Sequence, residues 1–152
     1  TPNETYCTFD NQAKKRGQAN VYTIPLLVPY GVLSTGLLAL RQKQLTTNTT
    51  NLTKLQVNQR FSGNLRRDLQ KGTLPGFPRL TADPDKPTHP HDLRSAYMAF
   101  VYDLYTSPYT FARTAMLCLG HETMQDSLVY NNVRLEGIDS LRGSLGPLHL
   151  SK

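Results

Sequence analysis

Tyr130, His121, Arg94, His91 and Lys14 are the side chains whose types and spacing could do chemistry on a phosphate. Tyrosine is a weak nucleophile at neutral pH unless neighbouring cations stabilise its phenolate. Histidine can donate a hydrogen bond to a non-bridging phosphate oxygen or shuttle a proton. A lysine on a mobile tip can reach into a site and protonate a leaving oxygen.

The spacing sharpens this list. In His91-Asp92-Leu93-Arg94 the basic residues are three apart and share one face of a helix. At a helix N-terminus they can join the amide dipoles in holding a phosphate. In Leu117-Cys118-Leu119-Gly120-His121 the glycine lets the backbone turn sharply and aims the imidazole, and Tyr130 follows nine residues later. Taken singly, each has a bland reading: a solvated helix turn, a half-buried aromatic ring, a surface charge. Their order in the chain is what makes them a set.

Several elements must position them. Tyr6, Thr8 and Phe9, then Val21-Tyr22-Thr23-Ile24, predict a β-hairpin. Its tip, Asp10 to Gly17, is polar and carries Lys14, Lys15 and Arg16, and Pro25 ends the second strand or puts it at a sheet edge. A helix is predicted from about Tyr30 to Gln44, with Leu33, Leu37, Leu40 and Leu45 at helical spacing. Thr53 is placed to cap a second helix with the stripe Val57, Phe61, Leu65 and Leu69, and Arg60, Arg66, Arg67 and Lys71 on its other sides. Gly72 to Pro90 reads as a long loop. A third helix starts near His91 with the stripe Leu93, Tyr97, Phe100 or Val101, and Leu104. Short helices are predicted from about Pro108 to Leu117, closed by Gly120, and from Glu122 to Asn131, carrying Tyr130. The glycine-rich tail from Gly137 is expected to be loosely held. This division gives a main body at 1–136 and a tail at 137–152.

Composition sets the outer bounds. The 152 residues suffice for one domain with a modest core, and the net charge of +6 favours a polyanionic partner. Cys7 and Cys118 form no metal-ligand pair, and two reduced, half-buried thiols are expected. The longest apolar stretch, about Ile24 to Leu40, is broken by Pro25, Pro29, Gly31 and Gly36 and is a poor membrane span. Residues 1–10 lack the basic start and apolar run of a signal peptide. No metal site and no cofactor motif is found.

A hairpin lysine, then His-x-x-Arg opening a helix, then Leu-Gly-His, then a tyrosine nine residues on, resembles the tyrosine recombinase and integrase superfamily. The resemblance runs from about Tyr6 to Arg134, and Leu119-Gly120-His121 with Tyr130 is its most specific part. Within that superfamily, Phe9 followed by Gln12-Ala13-Lys14-Lys15-Arg16 is similar to the telomere resolvases, or protelomerases. The implied fold is α+β and mainly helical, the C-terminal part of a catalytic domain with an N-terminal β-hairpin and about five helices.

The resemblance also implies a mechanism. Tyr130 attacks the scissile phosphate to give a 3′-phosphotyrosyl link, and Lys14 protonates the 5′-hydroxyl leaving group. Arg94 and His121 hold the non-bridging oxygens, and His91 assists as ligand or proton carrier. Lys15, Arg16, Arg60, Arg66, Arg67 and Lys71 are the candidate contacts to the DNA backbone. The implied partners are double-stranded DNA and further copies of the chain, as a homodimer or higher oligomer on DNA, with no membrane. A cytoplasmic, nucleoid-associated location in a bacterium or phage-infected cell follows. The implied reaction turns replicated telomere junctions into hairpin ends. A phage-type integrase or site-specific recombinase uses the same chemistry, and a non-catalytic DNA-binding remnant is a third reading. One family feature has no counterpart: a first catalytic arginine upstream of the hairpin lysine, since residues 1–13 contain no arginine. The expectation is a piece of a longer protein or a stand-alone remnant, slow or inactive by itself.

Overall fold

A computed structural model describes residues 5–9, 22–45, 52–71, 85, 88–133 and 135–150. Strand β1 is Tyr6–Phe9 and β2 is Tyr22–Pro25. They pair antiparallel with Tyr6 opposite Pro25 and Phe9 opposite Tyr22. The expected hairpin is present, and Pro25 is its last ladder residue. Five helices follow among the described residues: α1 Tyr30–Leu45, α2 Lys54–Lys71, α3 Pro90–Leu104, α4 Phe111–Leu119 and α5 Gln125–Leu128. A 3-10 turn at Asp139–Leu141 completes the order. The α+β, mainly helical class is as expected.

The core lies between α3, α4, the turn after α5 and the tail. Met98, Val101, Tyr105, Ala115, Cys118, Leu119, Tyr130 and Leu148 form one buried cluster. Helix α4 packs on β2 and on α5, α3 packs on α4, and α2 packs on α3. Two phenols fasten the end of β2 to this unit. Tyr97 donates to the carbonyl of Pro25 and Tyr105 to that of Leu26, each at 2.8 Å.

Several expectations are corrected. Residues Val32, Leu33, Leu37, Leu38 and Leu40 of α1 lie around the helix rather than along one stripe. Leu37 is 56% and Leu40 52% exposed, so the predicted stripe is not a buried face. On α3 the buried residues are Ser95, Ala96, Met98, Ala99 and Val101; of the predicted stripe Val101 is buried and Tyr97 packs against the core, while Phe100 faces outward. Helix α3 starts one residue earlier than expected, because Pro90 is its first residue, where its missing N–H costs nothing, and the loop predicted before it lies largely outside the described residues. Helix α4 starts at Phe111 rather than near Pro108, since the Thr110 hydroxyl caps it by accepting from the Arg113 N–H. Helix α5 is much shorter than Glu122 to Asn131 and does not contain Tyr130. Thr53 does cap α2. Its hydroxyl accepts from Gln56 N–H, and the Gln56 side chain accepts from Thr53 N–H, a reciprocal capping box. Leu69 is buried, while the side chains of Val57, Arg60, Phe61 and Leu65 lie outside the described set.

The tail is not loose. Leu148 is 4% exposed within the core. The tail amides of Gly143 and Leu145 donate to the carbonyls of Asp103 and Leu104, groups that the end of α3 leaves without an intrahelical partner. Thr106 then pairs with it in both directions, donating to Gly146 and accepting from Leu148. Gly143 takes a left-handed φ of 70°, and a side chain there would meet the Thr106 hydroxyl at 2.9 Å. The Tyr6 hydroxyl accepts from the His149 N–H at 2.9 Å and donates to the Pro147 carbonyl, joining the tail to β1. Cys118 is fully buried rather than half-buried, and both cysteines are free.

Candidate active site

The first turn of α3 supplies two of the candidates. Pro90 pre-sets the helical φ, and the Asp92 carboxylate accepts from the His89 N–H at 2.7 Å. His91 and Arg94 therefore occupy a defined turn, three residues apart, and both side chains are exposed.

The end of α4 supplies the third. Gly120 adopts φ 65° and ψ 36°, and both its N–H and that of His121 return to the Met116 carbonyl. This left-handed cap reverses the chain and sets His121 beside α3. Thr123 then starts α5, its hydroxyl accepting from Asp126 N–H and donating to the Asp126 carboxylate. The Tyr130 N–H donates to the Ser127 carbonyl at 3.2 Å, so a tight turn after α5, not a helix, holds the tyrosine.

These local events converge on one ring. Tyr130 is 3% exposed. Its centroid lies 5.0 Å from that of His91 and 5.3 Å from that of His121. The Arg94 guanidinium carbon lies 5.9 Å from the same centroid, within reach of a cation–π contact. Arg94 also donates to the Leu119 carbonyl at 3.3 Å. The Tyr130 hydroxyl has no hydrogen-bond partner among the described residues, yet no fully buried side-chain oxygen or nitrogen there lacks one. The ring is therefore enclosed while its hydroxyl reaches the surface. Tyr97 and Tyr105 contrast with it. Their hydroxyls are committed to carbonyls, and burial, with nearby Cys118 and tyrosines, raises their pKa. Burial also pushes the Cys118 thiol up to about 12, which makes it a poor nucleophile.

Burial lowers the pKa of His121 below its ordinary value, with Arg94 and His91 repelling an added proton and Asp126 partly opposing them. The imidazole is thus favoured in its neutral form. Its Nδ1 is 2.9 Å from the Ser127 hydroxyl. Ser127 has no place in the sequence reading. Its signal was the Thr123-x-x-Asp126 cap, which turns the chain so that the sixth residue after His121 faces back to it.

Four of the five candidate catalytic residues, Tyr130, His121, His91 and Arg94, are thus gathered within one small region. Lys14 and its neighbours Lys15 and Arg16 lie outside the described residues. Arg66, Arg67 and Lys71 are exposed on α2, with Arg67 near Asp68 at 3.6 Å. Among the described residues no group of three or more His, Cys, Asp or Glu could hold a metal ion. No described helix is long and apolar enough to cross a membrane.

A family model, the telomere resolvase ResT/TelK catalytic domain, matches residues 2–132. The chain belongs to this family. No curated protein and no solved structure matches it alongside. This telomere resolvase domain is therefore DNA-processing machinery, of a family that breaks and rejoins DNA. The matched residues contain the whole Tyr130 cluster, while the tail that closes the resolvase core lies beyond them.

Proposed function

We propose that this domain cleaves and rejoins DNA through a covalent link to Tyr130, and that the rejoined product is a hairpin end. The observation that carries the reading is the packing of two imidazoles and one guanidinium around a tyrosine ring whose hydroxyl is not committed to another described group. Negative charge gathers on the phosphate oxygens in the transition state, and preorganised donors aimed at it are a large source of rate.

In the proposed step the Tyr130 oxygen attacks phosphorus and gives up its proton, with His91 as the candidate carrier. The bond from phosphorus to the 5′-oxygen breaks, and that oxygen takes a proton from Lys14. Arg94 and His121 hold the non-bridging oxygens. The phosphodiester energy stays in the 3′-phosphotyrosyl bond, so rejoining needs no nucleotide. A 5′-hydroxyl then attacks that bond and releases Tyr130. When the hydroxyl belongs to the opposite strand of the same half-site, the product is a closed hairpin. The telomere resolvase family match supports this outcome over exchange between two duplexes. A palindromic junction presents two equivalent scissile phosphates, which calls for two copies of the chain.

The test uses the complete gene product and a palindromic substrate nicked beside the cleavage site, so that the attacking strand escapes and the covalent adduct accumulates. An SDS-resistant adduct is expected with the natural protein and none with Tyr130→Phe, at nearly unchanged DNA affinity. An adduct that persists in Tyr130→Phe removes Tyr130 as nucleophile. On an intact palindrome hairpin ends are expected, and recombinant duplexes without hairpins would overturn the product assignment. Lys14→Ala should slow cleavage, and a 5′-thio leaving group, which needs no proton to depart, should restore it. Failure of that rescue argues for Lys15 or another role.

A further inference from the structure

We propose that Ser127 is a positioning residue for His121: its hydroxyl donates to Nδ1 and so holds the neutral imidazole as the Nε2–H tautomer. The inference rests on the reading of His121 as a phosphate ligand, and deepens it.

Ser127 is fully enclosed, at 0% exposure. Its Oγ lies 2.9 Å from Nδ1, and this is the hydroxyl's partner among the described residues. Two arrangements fit that distance. If Nδ1–H donates, the serine proton is left without an acceptor in a site closed to water, which is costly. If the serine donates, both groups are satisfied, and the ring's one N–H sits on Nε2.

The charges around the ring support a neutral imidazole. Arg94 and His91 on α3 oppose an added proton, and Asp126 on α5 favours one. A neutral imidazole has one N–H to offer, so its usefulness to a phosphate oxygen depends on which nitrogen carries it. Ser127 settles that choice from the protein interior. The same residue accepts the Tyr130 N–H through its carbonyl at 3.2 Å. One buried serine therefore registers the imidazole against the backbone of the proposed nucleophile.

The experiment has two readouts on the complete gene product. In protein labelled with 15N at histidine, the ring nitrogen shifts of His121 report the tautomer without DNA. Adduct formation on the nicked palindrome, in a single turnover, reports the reaction. The natural protein is expected to show the Nε2–H form. Ser127→Ala should give a mixture of tautomers and slow adduct formation about three- to tenfold, with DNA affinity unchanged. Ser127→Thr should restore both readouts. The added methyl sits in an enclosed site, so if that variant does not fold, Ser127→Ala decides alone. A natural protein in the Nδ1–H form, or a Ser127→Ala variant with tautomer and rate intact, overturns the proposal. If the tautomer shifts but neither Ser127→Ala nor His121→Ala slows the adduct, the phosphate role of His121 fails, and the hydrogen bond stands.

Discussion

The guanidinium of Arg94 donates to the main-chain carbonyl of Leu119 at 3.3 Å, and through it the first turn of α3 is tied to the last turn of α4. The donor belongs to the His-x-x-Arg segment and the acceptor to the Leu-Gly-His segment. A planar fork with several N–H groups can hold a carbonyl with one arm and still offer others to a phosphate. A lysine ammonium on a flexible stem lacks that geometry. Arg94→Ala should therefore lower single-turnover adduct formation by about 100-fold or more. Arg94→Lys should recover only part of the loss. Full recovery by lysine would mean that charge alone matters and that the Leu119 contact is incidental.

The pH dependence of stability should carry a signature of His121. Its pKa is lowered from 6.5 in the fold by burial, then by Arg94 and His91, against the pull of Asp126. The unfolded chain therefore binds a proton at higher pH than the fold does, and stability rises with pH between the two values. The deficit is absent above about pH 6.5, grows as pH falls through the window below it, and becomes constant under the folded value. Chemical denaturation from about pH 7.5 down to pH 5 measures this slope. His121→Gln should flatten it relative to the natural protein. An unchanged slope would assign the effect to other groups.

Leu148 should be a stability residue rather than a dispensable tail position. It is 4% exposed and shares the cluster of Met98, Val101 and Tyr130. Leu148→Ala should cost about 2–5 kcal/mol, measured by urea denaturation. Because the same cluster encloses the Tyr130 ring, adduct formation should fall as well. A loss under about 0.5 kcal/mol, the range of an ordinary surface substitution, would mean that the tail is not anchored in solution.

What the sequence made legible follows from how local each signal is. The Thr53 cap, the Gly120 cap and the His91–Arg94 pair are set by neighbours within a few residues, and the hairpin by two short strand-forming runs, and all four are found. The tail was misread because Gly137, Gly143 and Gly146 resemble a loose segment, whereas its anchor is the set of unpaired carbonyls ending α3, some 40 residues away. The outward face of α1 was misread because helical spacing of leucines says that a helix forms, not which neighbour covers it. Ser127 was missed because a serine gains its role only when the Gly120 turn brings His121 onto it.

The exposed cations of α2 should act through phosphate charge rather than through the fold. Arg66 and Lys71 are exposed, on a helix that packs on α3 and buries Leu69. Arg67 faces Asp68 at 3.6 Å in an exposed pair, a type worth about 0–1 kcal/mol, so its removal should barely change stability. If Arg66 and Lys71 each neutralise one phosphate, replacing either by alanine should reduce the slope of log affinity against log salt by about one. The weakening should be similar on target and unrelated DNA, because phosphate contacts carry no sequence information. The measurement is a fluorescence-anisotropy titration over several salt concentrations. Unchanged slopes in both variants would leave this face of α2 as a solvated surface and move the phosphate contacts elsewhere on the domain.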